Sequence, residues 1–328
     1  MPSPTLVVAG TGFAAMREHL LEALPDVQFD MIDAAVLRKE GFSADVLIPV
    51  MSQIDAALMD RVSGLRLIQQ WGVGLEGVDI LAASARRIAV ARVSSAGSGN
   101  AESVAEWCVM AAIAVSRHLP IAEQTIRAGK TWGAPTGRSL LGRSAGIVGV
   151  GGIGTALAMR LRPFGMRVLG IDQRSDPALA ERLGIEWISA LDRLPDLLRQ
   201  SDYLFLCLPL TDQTRGLIDE AALALLPPQA CVVNAGRGGL MDQAALLSAL
   251  GAGRLLGAGL DVFEEEPLDP ACALLARSDV VATPHIAGVT DASYRGIAQG
   301  VAANVRRLLA GERLHDCVNW DAVAGNER

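Results

Sequence analysis

The fold of this chain is decided by a glycine-rich turn near its middle, Gly149-Val150-Gly151-Gly152-Ile153-Gly154. The apolar run at 145–148 comes directly before the turn, and a helical pattern follows it. Asp172 stands at the end of a second apolar run, eighteen residues beyond Gly154. A glycine turn between a strand and a helix, followed at this distance by an acidic residue, is typical of dinucleotide binding in a parallel α/β fold.

Each glycine of the turn has a physical reason to be there. Gly149 permits a tight turn, Gly151 lets a pyrophosphate approach the backbone, and Gly154 lets the helix pack close to the sheet. The helix N-terminus, with Gly152 and Ile153, would present unpaired N–H groups and a positive dipole to the phosphates. Such glycine patterns also occur in ordinary tight turns, so the prediction of a cofactor site depends on strand, helix and Asp172 together.

Asp172 is predicted to select the cofactor. Its carboxylate would accept hydrogen bonds from the adenosine ribose hydroxyls and repel a 2′-phosphate, which favours NAD over NADP. Arg174, two residues on, weakens that preference slightly. The alternative is that Asp172 is an ordinary turn residue at a strand end.

The composition limits the class of protein and its location. A chain of 328 residues is expected to form about two domains, and its 51% hydrophobic residues suffice for a large core. The net charge of −7 offers no binding surface for nucleic acid, and no uncharged run reaches the length of a membrane span. Five scattered cysteines and a start without signal character predict reduced thiols in a cytoplasmic protein. No group of His, Cys and Asp has metal-ligand spacing, so no metal is expected.

Short apolar runs alternate with helical patterns along the chain. Strands are predicted at 6–9, 46–50, 65–69 and 88–92, and again at 145–149, 167–171, 203–206, 230–234, 255–260 and 280–282. Helices are predicted between them and at 101–117 and 292–309. This alternation predicts an α/β protein with two doubly wound parallel sheets, and the small polar segment at 94–100 is the expected boundary.

Three further segments stand at predicted strand ends, where open α/β sheets bind ligands: NAGRG at 234–238, DVFEEEP at 261–267 and TPHIAG at 283–288. On these segments the chain strongly resembles the D-isomer-specific 2-hydroxyacid dehydrogenases, and the resemblance extends over nearly its whole length. Further matching segments are 72–74 with 78–79, 104–106, 208–211 and 214–216. The resemblance implies a flavodoxin-like substrate-binding domain of residues 1–98 and 287–328 and an NAD-binding Rossmann domain of residues 99–286. The active site is then expected in the cleft between these two Rossmann-like domains.

The resemblance assigns the chemistry to three residues. Arg237 would hold the carboxylate and carbonyl oxygens of a 2-keto acid in a fork. His285, as an imidazolium, would donate a proton to the carbonyl during reduction and accept it during oxidation. Glu266 would favour the charged imidazole and orient the ring, with Glu264 as a weaker candidate. The plainer alternatives are a surface cation at Arg237, a solvated acidic loop at 264–266 and a structural histidine at His285.

Further contacts are implied by the resemblance alone. Cofactor contacts are expected at Pro209, Ala235, Asp261 and Gly288, and Asp261 would also support the catalytic residues. The substrate carboxylate would bind backbone N–H groups of Val73 and Gly74. Met51 either lines the substrate pocket or belongs to the core. Pairing through residues 119–142 predicts a homodimer.

Two departures from relatives narrow the substrate. Formate dehydrogenases of this family carry a glutamine at the position of Glu266, so the carboxylate here favours hydroxy-acid chemistry. Phosphoglycerate dehydrogenases place a basic residue in segment 49–52, where this chain has the uncharged Met51, so a phosphorylated substrate is disfavoured. Trp107 stands where many relatives have a histidine, and the sequence offers no functional explanation for it.

The prediction is therefore an NAD-dependent D-2-hydroxyacid dehydrogenase that works mostly as a 2-keto acid reductase. Its substrate would be small and unphosphorylated, similar to glyoxylate or hydroxypyruvate or somewhat larger. A phosphoglycerate dehydrogenase is the alternative enzyme. An NAD-binding regulatory protein is the alternative class, because the family includes transcriptional corepressors, although the chain has no charge blocks suited to partner motifs.

Overall fold

The computed structural model describes residues 3–10, 12–129 and 133–324. The chain divides into two compact units, Met1–Asn100 with Asp291–Arg328, and Ala101–Thr290. Each unit is a parallel α/β structure, which confirms the predicted fold class. The domain boundaries at 98/99 and 286/287, with substrate assigned to one domain and cofactor to the other, stay a prediction.

The first unit contains a five-stranded parallel sheet. Its strands are β1 Thr5–Ala9, β2 Gln28–Ile32, β4 Val46–Pro49, β6 Leu67–Gln69 and β7 Ala89–Ala91, while β3 Phe42–Ser43 and β5 Val62–Ser63 form a separate pair. The order across the sheet is β2-β1-β4-β6-β7. Counted along the chain without the short pair, the strands therefore lie in the order 2-1-3-4-5, which is the flavodoxin-like order.

Helices cover both faces of this sheet. They are α1 Met16–Ala23, α2 Ala34–Lys39, α3 Ala56–Met59, α4 Ile80–Ala85, α12 Asp291–Ala310 and α13 Trp320–Val323. Leu6 and Val8 belong to the core formed with α1 and α12, whereas Val7 belongs to the core on the opposite face. Both faces are buried, which explains why the central strands are continuous apolar runs.

The second unit contains a seven-stranded parallel sheet. Its strands are β8 Ser144–Val148, β9 Arg167–Ile171, β10 Trp187–Ser189, β11 Tyr203–Leu206, β12 Ala230–Asn234, β13 Leu255–Leu260 and β14 Val280–Ala282. They lie in the order β10-β9-β8-β11-β12-β13-β14, which is the Rossmann order 3-2-1-4-5-6 with one strand added. The strand added to the Rossmann order is β14, at one edge of the sheet. The six strands predicted for this region are all present, and β10, at the other edge, is the strand that was not predicted.

The helices of the second unit are α5 Asn100–Ser116, α6 Leu119–Arg127, α7 Gly152–Leu161, α8 Pro177–Leu183, α9 Leu194–Gln200, α10 Glu220–Leu225 and α11 Gln243–Gly251. Helix α5 lies close against β13, because a Cβ on Gly259 would stand 2.7 Å from that of Ala111. Trp107 of α5 packs in the core of this unit. Among the described residues no single helix could cross a membrane; only α5 and α6 together, bent by 55°, have the length and composition, and most of α5 is buried.

Candidate active site

The glycine-rich turn joins β8 to α7 at the carboxyl edge of the second sheet. Gly149 has a φ of 96°, and a Cβ there would lie 2.8 Å from the backbone nitrogen of Leu208. A Cβ on Gly154 would overlap the carbonyl oxygen of Gly149, whereas one on Gly151 would meet nothing within 4 Å. Gly149 and Gly154 are therefore required by the packing of the protein, and Gly151 faces open space. Helix α7 begins at Gly152 without a side-chain cap, so the turn fits the pyrophosphate of a dinucleotide.

Asp172 follows β9 directly and is tied to the glycine turn. Its Oδ2 accepts a hydrogen bond from the N–H of Val150 at 2.9 Å, and Oδ1 accepts one from the N–H of Gln173 at 2.6 Å. The carboxylate is thus held at the turn where the ribose is expected. Arg174 is exposed. The contact of Asp172 with a ribose stays a prediction.

Three more predicted cofactor residues lie in the loops that follow neighbouring strands. Pro209 follows β11, and its carbonyl accepts a hydrogen bond from the hydroxyl of Thr214 at 2.9 Å. Ala235 follows β12 directly and is buried, and Gly288 lies in the loop after β14. Since β8 and β11 to β14 are adjacent parallel strands, these loops lie on the same edge as the glycine turn.

Arg237 is positioned by the side chain of Asn234, the last residue of β12. The amide nitrogen of Asn234 donates to the carbonyl of Arg237 at 3.0 Å, and its oxygen accepts from the N–H of Gly236 at 3.1 Å. A Cβ on Gly238 would overlap the backbone of Phe263, so the loop can pack there only with glycine. Asn234 is buried, and its role was not predicted, although the spacing Asn234-x-x-Arg237 pointed to it.

Glu266 and His285 form a hydrogen-bonded pair in the same unit. Oε2 of Glu266 lies 2.8 Å from Nδ1 of His285, and both side chains are mostly buried. Oε1 of Glu266 accepts a hydrogen bond from the N–H of Phe263 at 2.9 Å. Glu264 instead accepts from the N–H of Gln243 at the start of α11. The geometry therefore places Glu266, and not Glu264, against the histidine.

The charge state of Glu266 follows from its surroundings. Burial by itself would raise its pKa, but the hydrogen bond and charge of His285 outweigh that effect. The N–H of Phe263 and the charge of Arg237 act in the same direction, so the pKa of Glu266 is lowered. Glu266 is thus an anion at neutral pH, and Arg237 is near enough for its charge to contribute to this.

Asp261, at the end of β13, holds the loop that carries His285. Its carboxylate accepts hydrogen bonds from the hydroxyl of Thr283 at 2.6 Å and from the N–H groups of Ile286 and Ala287 at 2.8 Å each. His285 itself has a φ of 56°, a left-handed conformation that is uncommon outside glycine. Asp261 therefore holds the histidine in a strained conformation, which is typical of functional sites.

The predicted substrate residues lie on the carboxyl edge of the first sheet. Met51 follows β4 with a φ of 49° and is 63% exposed. Met51 is therefore a surface residue and does not belong to the core, which was one of the two alternatives for it. Val73 and Gly74 lie in the loop after β6, and within the described part of the chain neither N–H donates a hydrogen bond. Both amides are thus available to an acceptor such as a carboxylate.

The fold and the site define a dinucleotide-binding α/β protein with an acid–base pair and a neighbouring guanidinium. The sequence model of the D-isomer specific 2-hydroxyacid dehydrogenase NAD binding domain matches residues 109–287. D-3-phosphoglycerate dehydrogenase of Mycobacterium tuberculosis is 37% identical over 313 residues, 95% of this chain and 54% of that protein. Glyoxylate reductase of Thermococcus kodakarensis is 33% identical over 329 residues, 97% of this chain and 96% of that protein. The apo-structure of D-lactate dehydrogenase from Escherichia coli has a TM-score of 0.82 at 27% identity, covering 96% of this chain and 99% of that one.

The chain therefore belongs to the D-isomer specific 2-hydroxyacid dehydrogenases, a family of oxidoreductases that act on CH–OH groups. This confirms the resemblance found in the sequence. The matched region is an NAD-binding domain, so the cofactor is a nicotinamide dinucleotide. The chain spans about half the length of the phosphoglycerate dehydrogenases that it matches, 54% for that of M. tuberculosis.

Proposed function

We propose that this chain is an NAD-dependent D-2-hydroxyacid dehydrogenase that reduces a small, unphosphorylated 2-keto acid. The observation that carries the proposal is the contact of 2.8 Å between Glu266 and His285, with the charge of Arg237 acting on Glu266. These groups stand on the same sheet edge as the glycine turn that fits a dinucleotide.

Each residue has one task in this reaction. Arg237 binds the substrate carboxylate and the carbonyl oxygen through its planar guanidinium. His285 donates a proton to the carbonyl oxygen, and Glu266 stabilises the imidazolium until that transfer. Asn234 and Asp261 hold the two loops in place. A bound reduced nicotinamide supplies the hydride that the carbonyl carbon receives.

NAD is the proposed cofactor in preference to NADP. The support is the carboxylate of Asp172, which is held at the glycine turn by the N–H of Val150. A fixed negative charge there repels a 2′-phosphate, while it accepts hydrogen bonds from ribose hydroxyls.

A phosphoglycerate dehydrogenase is the second candidate, because relatives with that name are 37% identical to this chain. The segments 10–13, 50–53 and 70–77, which come after β1, β4 and β6 in the sequence, contain no lysine or arginine. A phosphate group needs cations or several N–H donors, and the N–H groups of Val73 and Gly74 are already assigned to the substrate carboxylate. We therefore keep the unphosphorylated substrate as the proposal.

The activity is tested by mixing the protein with NADH and a panel of 2-keto acids and following NADH absorbance. We expect turnover with some of glyoxylate, hydroxypyruvate, pyruvate and bulkier keto acids, and none with a phosphorylated acid. His285→Gln should lose at least about a hundredfold in kcat while still binding NADH. His315→Gln changes an exposed histidine of the other unit and is the matched control. No turnover with any keto acid, or full activity of His285→Gln, would overturn the proposal.

A homodimer and a cytoplasmic location complete the proposal. Exposed apolar side chains at Leu119, Ile126 and Leu141 support pairing through 119–142, of which residues 130–132 lie outside the described residues. Light scattering should give twice the chain mass, and a mass near 34.4 kDa would contradict the dimer. Five unpaired cysteines support a reducing compartment, and the net charge of −7 supports the absence of a nucleic-acid partner.

A further inference from the structure

Three loops meet at the carboxyl edge of the first sheet. A Cβ on Gly10, after β1, would lie 2.8 Å from the carbonyl oxygen of Val50, after β4. The hydroxyl of Ser52 donates to the carbonyl of Ala9 at 2.8 Å. A Cβ on Gly77 would lie 2.8 Å from the carbonyl oxygen of Ser52, which brings the loop after β6 against the same place. The ends of β1, β4 and β6 thus form one continuous surface.

Each of these loops carries a large apolar side chain that is not fully buried. Phe13 stands in the loop after β1, Met51 in the loop after β4, and Trp71 in the loop after β6. Phe13 and Met51 have φ values of 57° and 49°, a left-handed conformation that is costly for side chains of this size. Phe13 and Trp71 are partly buried against the core formed with α1 and α12, whereas Met51 is exposed. Strain at two neighbouring loops of one sheet edge is typical of a functional surface.

Trp71 has a rigid support. Its ring contacts that of Tyr294 edge-on, with centroids 5.4 Å apart, and Tyr294 contacts His19 in the same manner at 5.8 Å. Tyr294 is only 4% exposed, so the indole rests on a buried aromatic ring of α12. A rigid aromatic face offers a large contact area to an apolar ligand with little loss of side-chain entropy.

The position of Trp71 relates this surface to the substrate. Trp71 directly precedes Gly72, and the unpaired N–H groups of Val73 and Gly74 follow within three residues. A carboxylate held by those amides would leave the rest of the same small molecule beside the end of β6. Strand β4, with Met51 at its end, lies between β1 and β6 in the sheet, about 5 Å from each.

We propose that Phe13, Met51 and Trp71 form an apolar wall that selects 2-keto acids with bulky apolar side chains, branched aliphatic or aryl. This inference depends on the proposed function and narrows its substrate class. Glyoxylate has no side chain to place against the wall, and the hydroxyl of hydroxypyruvate would lose water there without a partner among these three side chains. Methionine fits ligands of several shapes, so the wall selects for apolar bulk and not for one compound.

The test compares kcat/KM for 2-ketoisocaproate and phenylpyruvate with kcat/KM for glyoxylate and hydroxypyruvate, all with NADH. The full-length chain should prefer the two bulky acids by at least about tenfold. Met51→Ala and Phe13→Ala should each lower that preference about tenfold or more. Met51→Ala is expected to fold, because the side chain is 63% exposed, and circular dichroism checks both variants.

Leu309→Ala is the matched control. Leu309 is 48% exposed near the end of α12 in the same unit. The carbonyl of the preceding Leu308 accepts from Arg66, which comes just before β6, so this residue lies at the opposite edge of the sheet from the three loops and the preference should not change. If the chain is active but prefers glyoxylate or hydroxypyruvate, the proposal of an apolar wall is wrong and the proposed function is unaffected. The same conclusion follows if Met51→Ala and Phe13→Ala keep the preference of the unmodified chain. Failure to oxidise NADH with these four acids and with pyruvate would overturn the proposed function and, with it, the wall.

Discussion

Oε2 of Glu266 lies 2.8 Å from Nδ1 of His285, while Oε1 of the same carboxylate is fixed by the N–H of Phe263. The carboxylate therefore cannot rotate away from the ring without losing a backbone hydrogen bond. With Nδ1 directed at an anion, Nε2 is the ring nitrogen that can exchange a proton with a substrate. The pair thus determines the orientation of the imidazole and leaves Nε2 for the substrate.

Replacing Glu266 by glutamine should slow reduction while leaving NADH binding intact. Oε2 of Glu266 lies 2.8 Å from Nδ1 of His285, so the substitution removes the negative charge beside the ring that donates the proton. We expect kcat/KM for the keto acid to fall at least about tenfold, with little change in the Kd for NADH. The pKa of Glu266 is lowered, so the carboxylate is charged at neutral pH and the loss should be measurable there. Glu265→Gln, an exposed neighbour, is the control, and full activity of Glu266→Gln contradicts the assignment.

Asp261→Asn should destabilise the second unit and misplace His285. Each carboxylate oxygen of Asp261 accepts from a backbone N–H, so an asparagine would direct its NH₂ at Ile286 or Ala287 and leave that N–H unpaired. A buried unpaired donor costs about 1–3 kcal/mol, which should lower the free energy of unfolding measured in urea. Turnover should fall as well, because the strained φ of His285 loses its support.

Asp242→Asn is a suitable comparison for that experiment. Asp242 also accepts a hydrogen bond from a backbone N–H, at the start of α11, but it is exposed whereas Asp261 is buried. Its loss should cost less than the loss of Asp261 and leave turnover nearly unchanged. If both variants behave alike, Asp261 has no special role in holding the catalytic loop.

Asp172→Asn should relax the preference for NADH over NADPH. The negative charge at the glycine turn disappears, while the amide oxygen can still accept from the N–H of Val150. We expect the ratio of kcat/KM for NADPH to that for NADH to rise at least about tenfold, since one like-charge repulsion is removed. Asp192→Asn removes an exposed charge elsewhere in the unit and should leave the ratio unchanged. An unchanged ratio in Asp172→Asn would mean that another residue selects the cofactor.

The central strands could be predicted because their sequence pattern is strong. Strands buried on both faces, such as β8, β11 and β12, are continuous apolar runs and were located within one residue. The strands that were missed lie at sheet edges. In β2 only Phe29 is buried, and β10 has three residues of which one is buried, so neither gives an apolar run.

The candidate site could be predicted where a residue stands in a motif. Arg237, Glu266 and His285 were chosen from sequence, and the structure brings them together. The choice between Glu264 and Glu266 could not be made from charge alone, because it depends on which carboxylate faces Nδ1. Phe13 and Trp71 were not predicted, since an isolated aromatic residue in a loop gives no periodic signal. That their two loops lie close together becomes visible only when β1, β4 and β6 are placed side by side in the sheet.

The glycine turn permits a prediction that separates cofactor binding from stability. A Cβ on Gly154 would overlap the carbonyl oxygen of Gly149, so Gly154→Ala should lower the free energy of unfolding by about 1–3 kcal/mol through overpacking. A Cβ on Gly151 would meet nothing within 4 Å, so Gly151→Ala should unfold at nearly the same urea concentration as the unmodified chain. If a pyrophosphate approaches the backbone at Gly151, the same methyl group must nevertheless weaken NADH binding, by about tenfold or more in Kd measured by fluorescence titration. Stable folding of Gly151→Ala with unchanged NADH affinity would show that the open space beside Gly151 is not where the cofactor binds.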